Sequence, residues 1–326
     1  MYNNDVEVID TLNKKYDELK KELSKVIIGQ DEVIKNVIIS IFGNGHTLLI
    51  GVPGLAKTLL VTTLAKVLGL KYSRIQFTPD LMPSDIIGTE ILDTNKNFKF
   101  IKGPIFANFI LADEINRTPP KTQSALLEAM QEKTVTAAGK KYELSSPFFV
   151  LATQNPIEQE GTYPLPEAQL DRFMFNIIVN YPSFNEEIEI VKQTTVNKEF
   201  SLNPILTADE IIVFQNAIKK IPVNDNVIKF AVSITTKSRP EASNTYKFVN
   251  EYINWGAGPR ASQYLIIGAK THAALNGKYS PDIEDIEAVA YSVLRHRIIR
   301  NYKAEAENIT IEEIIDEIIK EIKKSF

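Results

Sequence analysis

Gly51-Val52-Pro53-Gly54-Leu55-Ala56-Lys57-Thr58 is a glycine-rich stretch that connects two apolar segments of this chain. The segment before it, residues 47–50, is a short apolar run that predicts a buried strand, and residues 59–68 after it predict a helix. A helix N-terminus offers unpaired N–H groups and a positive dipole end, and the preceding loop adds further N–H groups. The stretch therefore predicts a loop that holds the phosphates of a nucleoside triphosphate, with all eight residues contributing.

One position of this loop departs from the usual pattern G-x-x-x-x-G-K-[ST], because Ala56 replaces the second glycine. Alanine adds only a methyl group, so the loop is preserved provided that the backbone at Ala56 is not left-handed. Lys57 is expected to bridge the β- and γ-phosphates, and the Thr58 hydroxyl to ligate Mg²⁺. The alternative is an ordinary turn containing glycine and proline between a strand and a helix.

The composition is that of a globular chain with a sizeable core, since 44% of the 326 residues are hydrophobic and the length suits about two domains. A formal net charge of −4 gives no overall attraction to nucleic acid or to an anionic membrane. The absence of cysteine excludes disulfides, a thiol nucleophile and cysteine metal ligands. The three histidines, His46, His272 and His296, are far apart in sequence, and each is interpreted as structural.

The N-terminus shows no basic region followed by an apolar core, and no apolar run reaches membrane-spanning length. We therefore expect a cytoplasmic protein without membrane insertion.

Five short apolar runs alternate with helical patterns in the first part of the chain, at residues 47–50, 72–77, 109–113, 148–153 and 175–179. Such alternation predicts a parallel sheet covered by helices on both faces. Two segments interrupt the rhythm, and both are expected to project from the sheet. Residues 81–102 are interpreted as a hairpin or an insert, because polar and apolar residues alternate over residues 89–101, and residues 134–144 are interpreted as a hairpin. The second is expected to turn at Gly139.

Two amphipathic helices are predicted before the first strand. The first has apolar residues at alternating spacings of three and four, namely Ile9, Leu12, Tyr16, Leu19 and Leu23. Asp31 is the expected cap of the second helix, and Gly29 is expected in the turn between them.

Beyond Tyr181-Pro182-Ser183 the chain is predicted to be helical, so we expect a nucleotide-binding domain over residues 1–183 and a helical domain over residues 184–326. The last helix begins with a capping box at Thr310. Its isoleucine stripe is interpreted as core rather than as a surface for a partner. The stripe consists of Ile311, Ile314, Ile315, Ile318, Ile319 and Ile322.

Asp113 and Glu114 end the apolar run at residues 109–113. Beside a phosphate-binding loop, Asp113 is expected to hold Mg²⁺, and Glu114, pointing to the other side of the pleat, to polarise the attacking water. Two acids at a strand end are a weak signal alone, but they become a strong one together with Lys57 and Thr58.

Several motifs in order resemble the MoxR branch of the AAA+ ATPases, and the resemblance covers nearly the whole chain. The motifs are the loop at residues 51–58, Asp113-Glu114-Ile115-Asn116-Arg117, Ala152-Thr153-Gln154-Asn155-Pro156, Leu165-Pro166-Glu167-Ala168-Gln169-Leu170-Asp171-Arg172-Phe173 and Gly258-Pro259-Arg260-Ala261-Ser262. Ala56 also fits, since MoxR proteins commonly carry Ala-Lys-Thr there. The resemblance implies an α/β P-loop NTPase fold of the AAA+ type, with helices flanking a parallel sheet and a smaller all-α lid following it.

The resemblance implies roles for further residues. Ile28 and Gly29 match the segment that flanks adenine, and Asn155 matches the sensor 1 residue that orients water alongside Glu114. Arg172 matches the arginine finger supplied to a neighbour's nucleotide. Arg260 matches sensor 2, which reaches the γ-phosphate from the lid.

Each of these assignments has a structural alternative. Asn155 could form a simple turn before proline, Arg172 a surface ion pair, and Arg260 a cation at a helix start. The roles of Asn116 and Arg117 stay open between support of the site and a subunit contact.

The function implied by the resemblance is Mg²⁺-dependent ATP hydrolysis in a ring, expected to be a hexamer, coupled to remodelling of a protein client or cofactor insertion into it. A partner with a von Willebrand factor A domain is also implied. One alternative is a DNA-directed motor that grips with Lys140 and Lys141, although the acidic balance disfavours nucleic acid. Another is a nucleotide-gated binding module with little turnover.

Overall fold

A computed structural model describes residues 4–92, 94, 97–157, 161–195, 200–242 and 245–326. Its helices are α1 (Asp5–Leu23), α2 (Asp31–Phe42), α3 (Lys57–Val67), α4 (Pro83–Ile87), α5 (Pro120–Glu132), α6 (Glu167–Leu170), α7 (Phe184–Thr194), α8 (Ala208–Lys220), α9 (Asp225–Lys237), α10 (Lys247–Tyr252), α11 (Pro259–Leu275), α12 (Ile283–Leu294), α13 (Tyr302–Ala306) and α14 (Ile311–Lys323), with a 3₁₀ turn at Ile115–Arg117. Its strands are β1 (Thr47–Ile50), β2 (Tyr72–Gln76), β3 (Gly88–Leu92), β4 (Phe98–Lys102), β5 (Phe109–Asp113), β6 (Thr134–Ala137), β7 (Lys140–Glu143), β8 (Phe149–Gln154), β9 (Phe175–Ile178), β10 (Ile253–Trp255) and β11 (Ile299–Arg300).

The central sheet has the strand order β2-β5-β8-β1-β9. The pairs β2–β5, β5–β8 and β8–β1 are parallel, with Gln76 opposite Asp113 and Ile50 opposite Gln154. This register brings the carboxyl ends of several strands to one edge of the sheet. The predicted parallel sheet is confirmed, and each of its strands lies within one residue of the predicted bounds.

The sheet is buried because its central strands are apolar along their whole length. Phe109, Ile110 and Leu111 of β5 are fully buried, and so are Val150 and Leu151 of β8. Each such side chain contributes roughly 1.5–3 kcal/mol by leaving water. Strands that bury both faces in this way hold the residues at their ends in fixed positions.

The two helices predicted before the first strand are present. All five predicted apolar positions of α1 are buried, which confirms its amphipathic face. The predicted cap of α2 is wrong, because Asp31 is the first helical residue and Gln30 takes the cap position without a side-chain cap hydrogen bond. Asp31 instead places its charge in the first turn, where it complements the helix dipole.

Both predicted hairpins are confirmed, as the antiparallel pairs β3–β4 and β6–β7. The second turns through Ala138 and Gly139, which both have positive φ, the geometry of a tight hairpin turn. Three half-buried rings join the two hairpins, and we call them the aromatic junction. Phe100 stacks on Tyr142 with ring centroids 4.4 Å apart, and Phe106 meets Tyr142 edge-on at 6.3 Å.

The later part of the chain is mostly helical, as predicted. The short antiparallel pair β10–β11 was not predicted, because strands of two and three residues show no periodicity. The capping box of α14 is present: the Thr310 hydroxyl accepts from the Glu313 N–H at 3.2 Å, and the Glu313 carboxylate accepts from the Thr310 N–H at 2.7 Å. Four of the six isoleucines of the predicted stripe are buried and the other two are half-buried, so most of the stripe is core. The buried ones are Ile314, Ile315, Ile318 and Ile322.

Cα packing divides the chain into two compact units. One comprises the described residues of Lys15–Phe173 and Ile177–Ile212, and the other those of Met1–Lys14, Met174–Asn176 and Val213–Phe326. Among the described residues, no helix combines the length and the apolar character that a membrane crossing requires.

Candidate active site

The glycine-rich loop runs from β1 directly into α3, as expected for a phosphate-binding loop. Its first residue is tied to the sheet, since the Gly51 N–H donates to the Gln154 carbonyl at 3.2 Å. Ala56 has φ 54° and ψ 25°, so its backbone is left-handed. The expectation that the loop forms only if Ala56 is not left-handed is therefore wrong. The loop forms nevertheless, because a methyl group is the smallest side chain that this conformation has to accommodate.

Lys57 is the first residue of α3, and its ammonium group lies within the loop. It donates to the Gly51 carbonyl and, at 2.9 Å, to the Val52 carbonyl. Burial lowers the pKa of Lys57 below its usual value, and the nearby carboxylates of Asp113 and Glu114 act in the opposite direction. The group is therefore a partly desolvated cation held beside two acids, which suits the binding of a polyanion.

Asp113 ends β5 and is buried. Its Oδ1 accepts from the Thr153 hydroxyl at 2.6 Å. Its Oδ2 accepts from the Arg74 guanidinium, with distances of 2.6 Å to Nη2 and 3.1 Å to Nε. Both oxygens therefore have partners on the two strands that flank β5.

Glu114 lies beyond the end of β5, at a left-handed backbone with φ 57° and ψ 50°. The expectation that it continues the pleat is therefore wrong, because the chain turns there and the Glu114 N–H donates to the Thr153 hydroxyl oxygen at 2.8 Å. Its Oε2 accepts from Gln76 Nε2 at 3.0 Å and lies 3.3 Å from Arg117 Nε. Arg117 thus pairs with this carboxylate within its own chain.

Asn155 follows β8 and is buried, and its Oδ1 accepts from the Ile157 N–H at 3.1 Å. A cavity of about 350 Å³ lies between the strand ends and the loop. Its lining residues are Pro53, Gly54, Leu55, Ala56, Lys57, Thr58, Asp113, Glu114, Thr153 and Asn155. The fold therefore brings the predicted lysine, threonine, acids and asparagine to one cavity.

A second, smaller pocket of about 130 Å³ adjoins the loop and shares Gly54, Leu55 and Ala56 with the first. Ile28 lines this pocket. Gly29 has φ 71°, a left-handed backbone that glycine adopts without strain, and a Cβ at this residue would displace the Glu186 side chain, which lies 2.5 Å away.

Two further predicted site residues are arginines. Arg172 follows α6, is half-buried, and is not among the described residues that line the larger cavity. The backbone N–H of Arg172 donates to the Gln169 carbonyl at 3.2 Å. Arg260 lies in the first turn of α11, in the other compact unit.

Three residues that contact the acids were not predicted as site residues: Arg74, Gln76 and Thr153. Arg74 and Gln76 alternate along β2, and Arg74 Nη2 also donates to Gln76 Oε1 at 2.6 Å. The sequence signal for these two residues was their alternation, which places both side chains on the same face of a predicted strand. It could not be used without knowing that β2 lies beside β5.

The donor set fits Mg²⁺, a cation that prefers oxygen ligands. The Thr58 hydroxyl and the Asp113 carboxylate both line the larger cavity. Asp113 is 11% exposed at its side chain and Arg74 is 48% exposed, so the arginine is the partner that has room to move away.

A parallel sheet with this loop and two acids at its edge is the arrangement of a P-loop ATPase. Residues 46–175 match the model of the ATPase family associated with various cellular activities (AAA), and residues 246–318 match the AAA lid domain. The chain is an ATP-hydrolysing enzyme with an AAA domain and a mostly helical lid, which also contains the short pair β10–β11.

Similar proteins identify the branch. The chain is 42% identical over 302 residues to chaperone MoxR1 of Mycobacterium tuberculosis, covering 92% of this chain and 80% of the relative. It is 40% identical over 305 residues to the uncharacterised protein YeaC of Bacillus subtilis, covering 93% and 92%. A crystal structure of a candidate ATPase from Cytophaga hutchinsonii superposes with a TM-score of 0.90 at 46% identity, covering 96% of each chain. The chain belongs to the MoxR family of AAA ATPases.

Proposed function

We propose that this ATPase requires Mg²⁺, assembles into a homo-oligomeric ring, a hexamer, and remodels a protein client or inserts a cofactor into it. The observation that carries the chemistry is the 350 Å³ cavity, which gathers a lysine, a threonine, two acids and an asparagine beside the loop. The name of the relative MoxR1, a chaperone, supports a protein client. A partner with a von Willebrand factor A domain is part of the proposal.

The loop and Lys57 bind the phosphates in this proposal. When nucleotide enters, phosphate oxygens replace the two loop carbonyls that now accept from the Lys57 ammonium. Thr58 and Asp113 hold Mg²⁺, which when bound neutralises charge on the phosphate oxygens. In this proposal Lys57 serves the phosphates, Thr58 and Asp113 serve the metal, and Glu114 and Asn155 are left to serve the water.

Glu114 accepts a proton from the attacking water, and Asn155 orients that water. The carboxylate of Glu114 is held by Gln76 at 3.0 Å and by Arg117 at 3.3 Å, so it enters the reaction from a fixed position. Asn155 is buried, lines the cavity and has its Oδ1 engaged by the backbone, so in this proposal its amide nitrogen is the group that meets the water.

Arg172 acts on the ATP of a neighbouring subunit. Its place outside the lining of its own cavity supports this assignment. A guanidinium supplied in this way stabilises the transferred phosphoryl group and accounts for about 10³ to 10⁵ in rate in well-studied phosphate hydrolases.

Arg260 contributes from the lid domain, which begins after residue 183 in the proposed division of the chain. Ile28 and Gly29 flank adenine.

The shared site is tested by mixing two inactive variants, Arg172→Ala and Glu114→Gln. In a random ring, about a quarter of the interfaces pair an intact Glu114 with an intact Arg172, so turnover should return to that extent. The matched control mixes Arg172→Ala with a double variant that carries both substitutions. This mixture contains no intact Arg172 and should stay inactive. If mixed rings form but do not hydrolyse ATP, the assignment of Arg172 to a neighbouring subunit's ATP is rejected.

The client is tested with Glu114→Gln as a trap, because this variant should bind ATP without hydrolysing it. A purified client should stay bound with ATP and dissociate with ADP. Lys57→Ala should hold no client under either condition, since it cannot bind nucleotide. Equal retention in ATP, ADP and the Lys57 variant would mean that the association does not depend on nucleotide and would contradict remodelling.

A further inference from the structure

Gln30 connects the start of α2 to the phosphate-binding loop. Its Nε2 donates to the Leu55 carbonyl at 3.0 Å. Its Oε1 is buried, and within the described part of the chain it has no hydrogen-bond partner. Gln30 is also one of the residues that line the 130 Å³ pocket beside the loop.

The two ends of the Gln30 amide can be told apart by their surroundings. A carbonyl oxygen accepts hydrogen bonds only, so the atom that faces the Leu55 carbonyl has to be the NH₂ group. The atom without a partner is therefore an acceptor. A buried acceptor without a donor is unfavourable, and this favours a ligand that brings a donor to it.

The pocket is otherwise suited to a flat apolar ring. Val26, Ile27, Ile28, Leu59, Pro182 and Ile190 supply most of its wall. Of its other polar side chains, Thr194 is exposed and its hydroxyl donates to the Ile190 carbonyl at 2.8 Å. An apolar slot with one unsatisfied buried acceptor selects a ring that carries one hydrogen-bond donor.

We propose that Gln30 reads the nucleotide base: its Oε1 accepts from the 6-amino group of adenine. The inference rests on the placement of adenine beside Ile28 in the proposed function. A purine without that amino group leaves the acceptor unpaired and binds about tenfold more weakly. Because the same amide holds the Leu55 carbonyl, a bound adenine also fixes the group that anchors the phosphate-binding loop.

The test compares equilibrium binding of ATP and of purine riboside triphosphate, which lacks the 6-amino group and is otherwise identical. The wild-type chain should prefer ATP about tenfold, and Gln30→Leu should reduce this ratio to about one. Gln30→Glu keeps an acceptor and loses the donor to Leu55, so it should retain the preference while binding both nucleotides more weakly. Gln193→Leu is the matched control, since Gln193 lines the same pocket and should leave the ratio at about tenfold.

The possible outcomes are distinct. If Gln30→Leu weakens both nucleotides equally and the ratio stays near tenfold, Gln30 only anchors the loop and the proposal is overturned. If the wild-type chain binds and hydrolyses ATP without any preference over the analogue, base reading fails while the proposed function stands. If the wild-type chain binds neither nucleotide, both fail. If Gln30→Leu does not fold, Gln30→Met takes its place, because it also removes the acceptor and should likewise reduce the ratio to about one.

Discussion

Arg74 and Asp113 form an ion pair across the neighbouring strands β2 and β5, with Nη2 2.6 Å from Oδ2. Asp113 is also the carboxylate proposed to hold Mg²⁺. The guanidinium therefore occupies an oxygen that the cation needs, while Thr153 holds the other oxygen at 2.6 Å. If Mg²⁺ binds as proposed, Arg74 would compete with it for Asp113, and the half-exposed arginine would be the partner that moves away.

Arg74→Ala should lower the Mg²⁺ concentration needed for half-maximal ATP hydrolysis, because the competing cation is gone. A partly exposed ion pair contributes no more than about 1 kcal/mol, so the shift is limited to about fivefold. Titration of activity with Mg²⁺ measures it. Lys71→Ala removes an exposed charge just before β2 and is the control, and an unchanged or higher Mg²⁺ requirement in Arg74→Ala would contradict the competition.

Lys57→Ala should abolish nucleotide binding, whereas Glu114→Gln should bind ATP and lose hydrolysis. The first change removes a phosphate ligand, and the second removes only the group that takes the water proton. Equilibrium binding of labelled ATP, together with a turnover assay, separates the two variants. Lys66→Ala, at an exposed position in the last turn of the same helix, should leave both properties intact. Normal turnover in Glu114→Gln would reject the assignment of the base.

Ala56→Gly should stabilise the protein by about 1 kcal/mol, because glycine adopts the left-handed backbone without the cost that a Cβ brings. Chemical unfolding of the two proteins measures the difference, and ATP binding should be retained. Ala125→Gly in α5 is the control, since glycine in a right-handed helix should destabilise by about the same amount. A loss of stability in Ala56→Gly would show that the backbone at this residue is not strained.

The protein should lose stability in mild acid because His46 is buried in its neutral form. Its ring is buried, Nδ1 accepts from the Val150 N–H at 3.0 Å, and Nε2 therefore carries the proton that it donates to the Met130 carbonyl at 3.1 Å. Burial lowers the pKa of His46 from 6.5 to about 4. Between these values the unfolded chain binds a proton that the folded chain does not, so stability falls as pH drops below 6.5.

The free energy of unfolding should decrease by about 2 kcal/mol between pH 7 and pH 5 through this residue alone. Urea unfolding of wild type and His46→Gln at both pH values isolates the effect, because the other titrating groups are common to both. The variant should be less stable at pH 7 and should lose less on acidification. If the free energy of unfolding fell equally in the two proteins between pH 7 and pH 5, His46 would not be the cause.

Replacement of Lys140 and Lys141 by alanine should leave basal ATP hydrolysis unchanged and impair client remodelling. Both side chains are exposed on β7, and neither lines the larger cavity in the described part of the chain. Turnover with and without client measures the two effects. A loss of basal hydrolysis in a well-folded double variant would show that the hairpin takes part in the chemistry.

Most of the fold could be predicted because its signals are local. The strands at Thr47–Ile50 and Phe109–Asp113 are continuous apolar runs, and the turn at Gly139 is marked by its own residue. The loop and the acid pair could be predicted as site residues for the same reason. Each belongs to a short segment whose neighbours identify it.

The left-handed backbones and the supports of the acids could not be predicted, because they depend on contacts between distant segments. The Glu114 N–H meets the Thr153 hydroxyl, 39 residues away in sequence. Arg74 reaches Asp113 only because β2 lies beside β5 in the sheet. Alternation along the chain predicts that strands exist and are parallel, but it does not predict their order.

The aromatic junction has a mechanical consequence. Stacking of Phe100 on Tyr142 ties the hairpin β3–β4 to the hairpin β6–β7, so a load applied to either is shared by both. β4 leads along the chain into β5, and β5 ends at Asp113. A displacement of either hairpin thus has a short covalent route, through the segment at residues 103–108, to the two acids of the candidate active site.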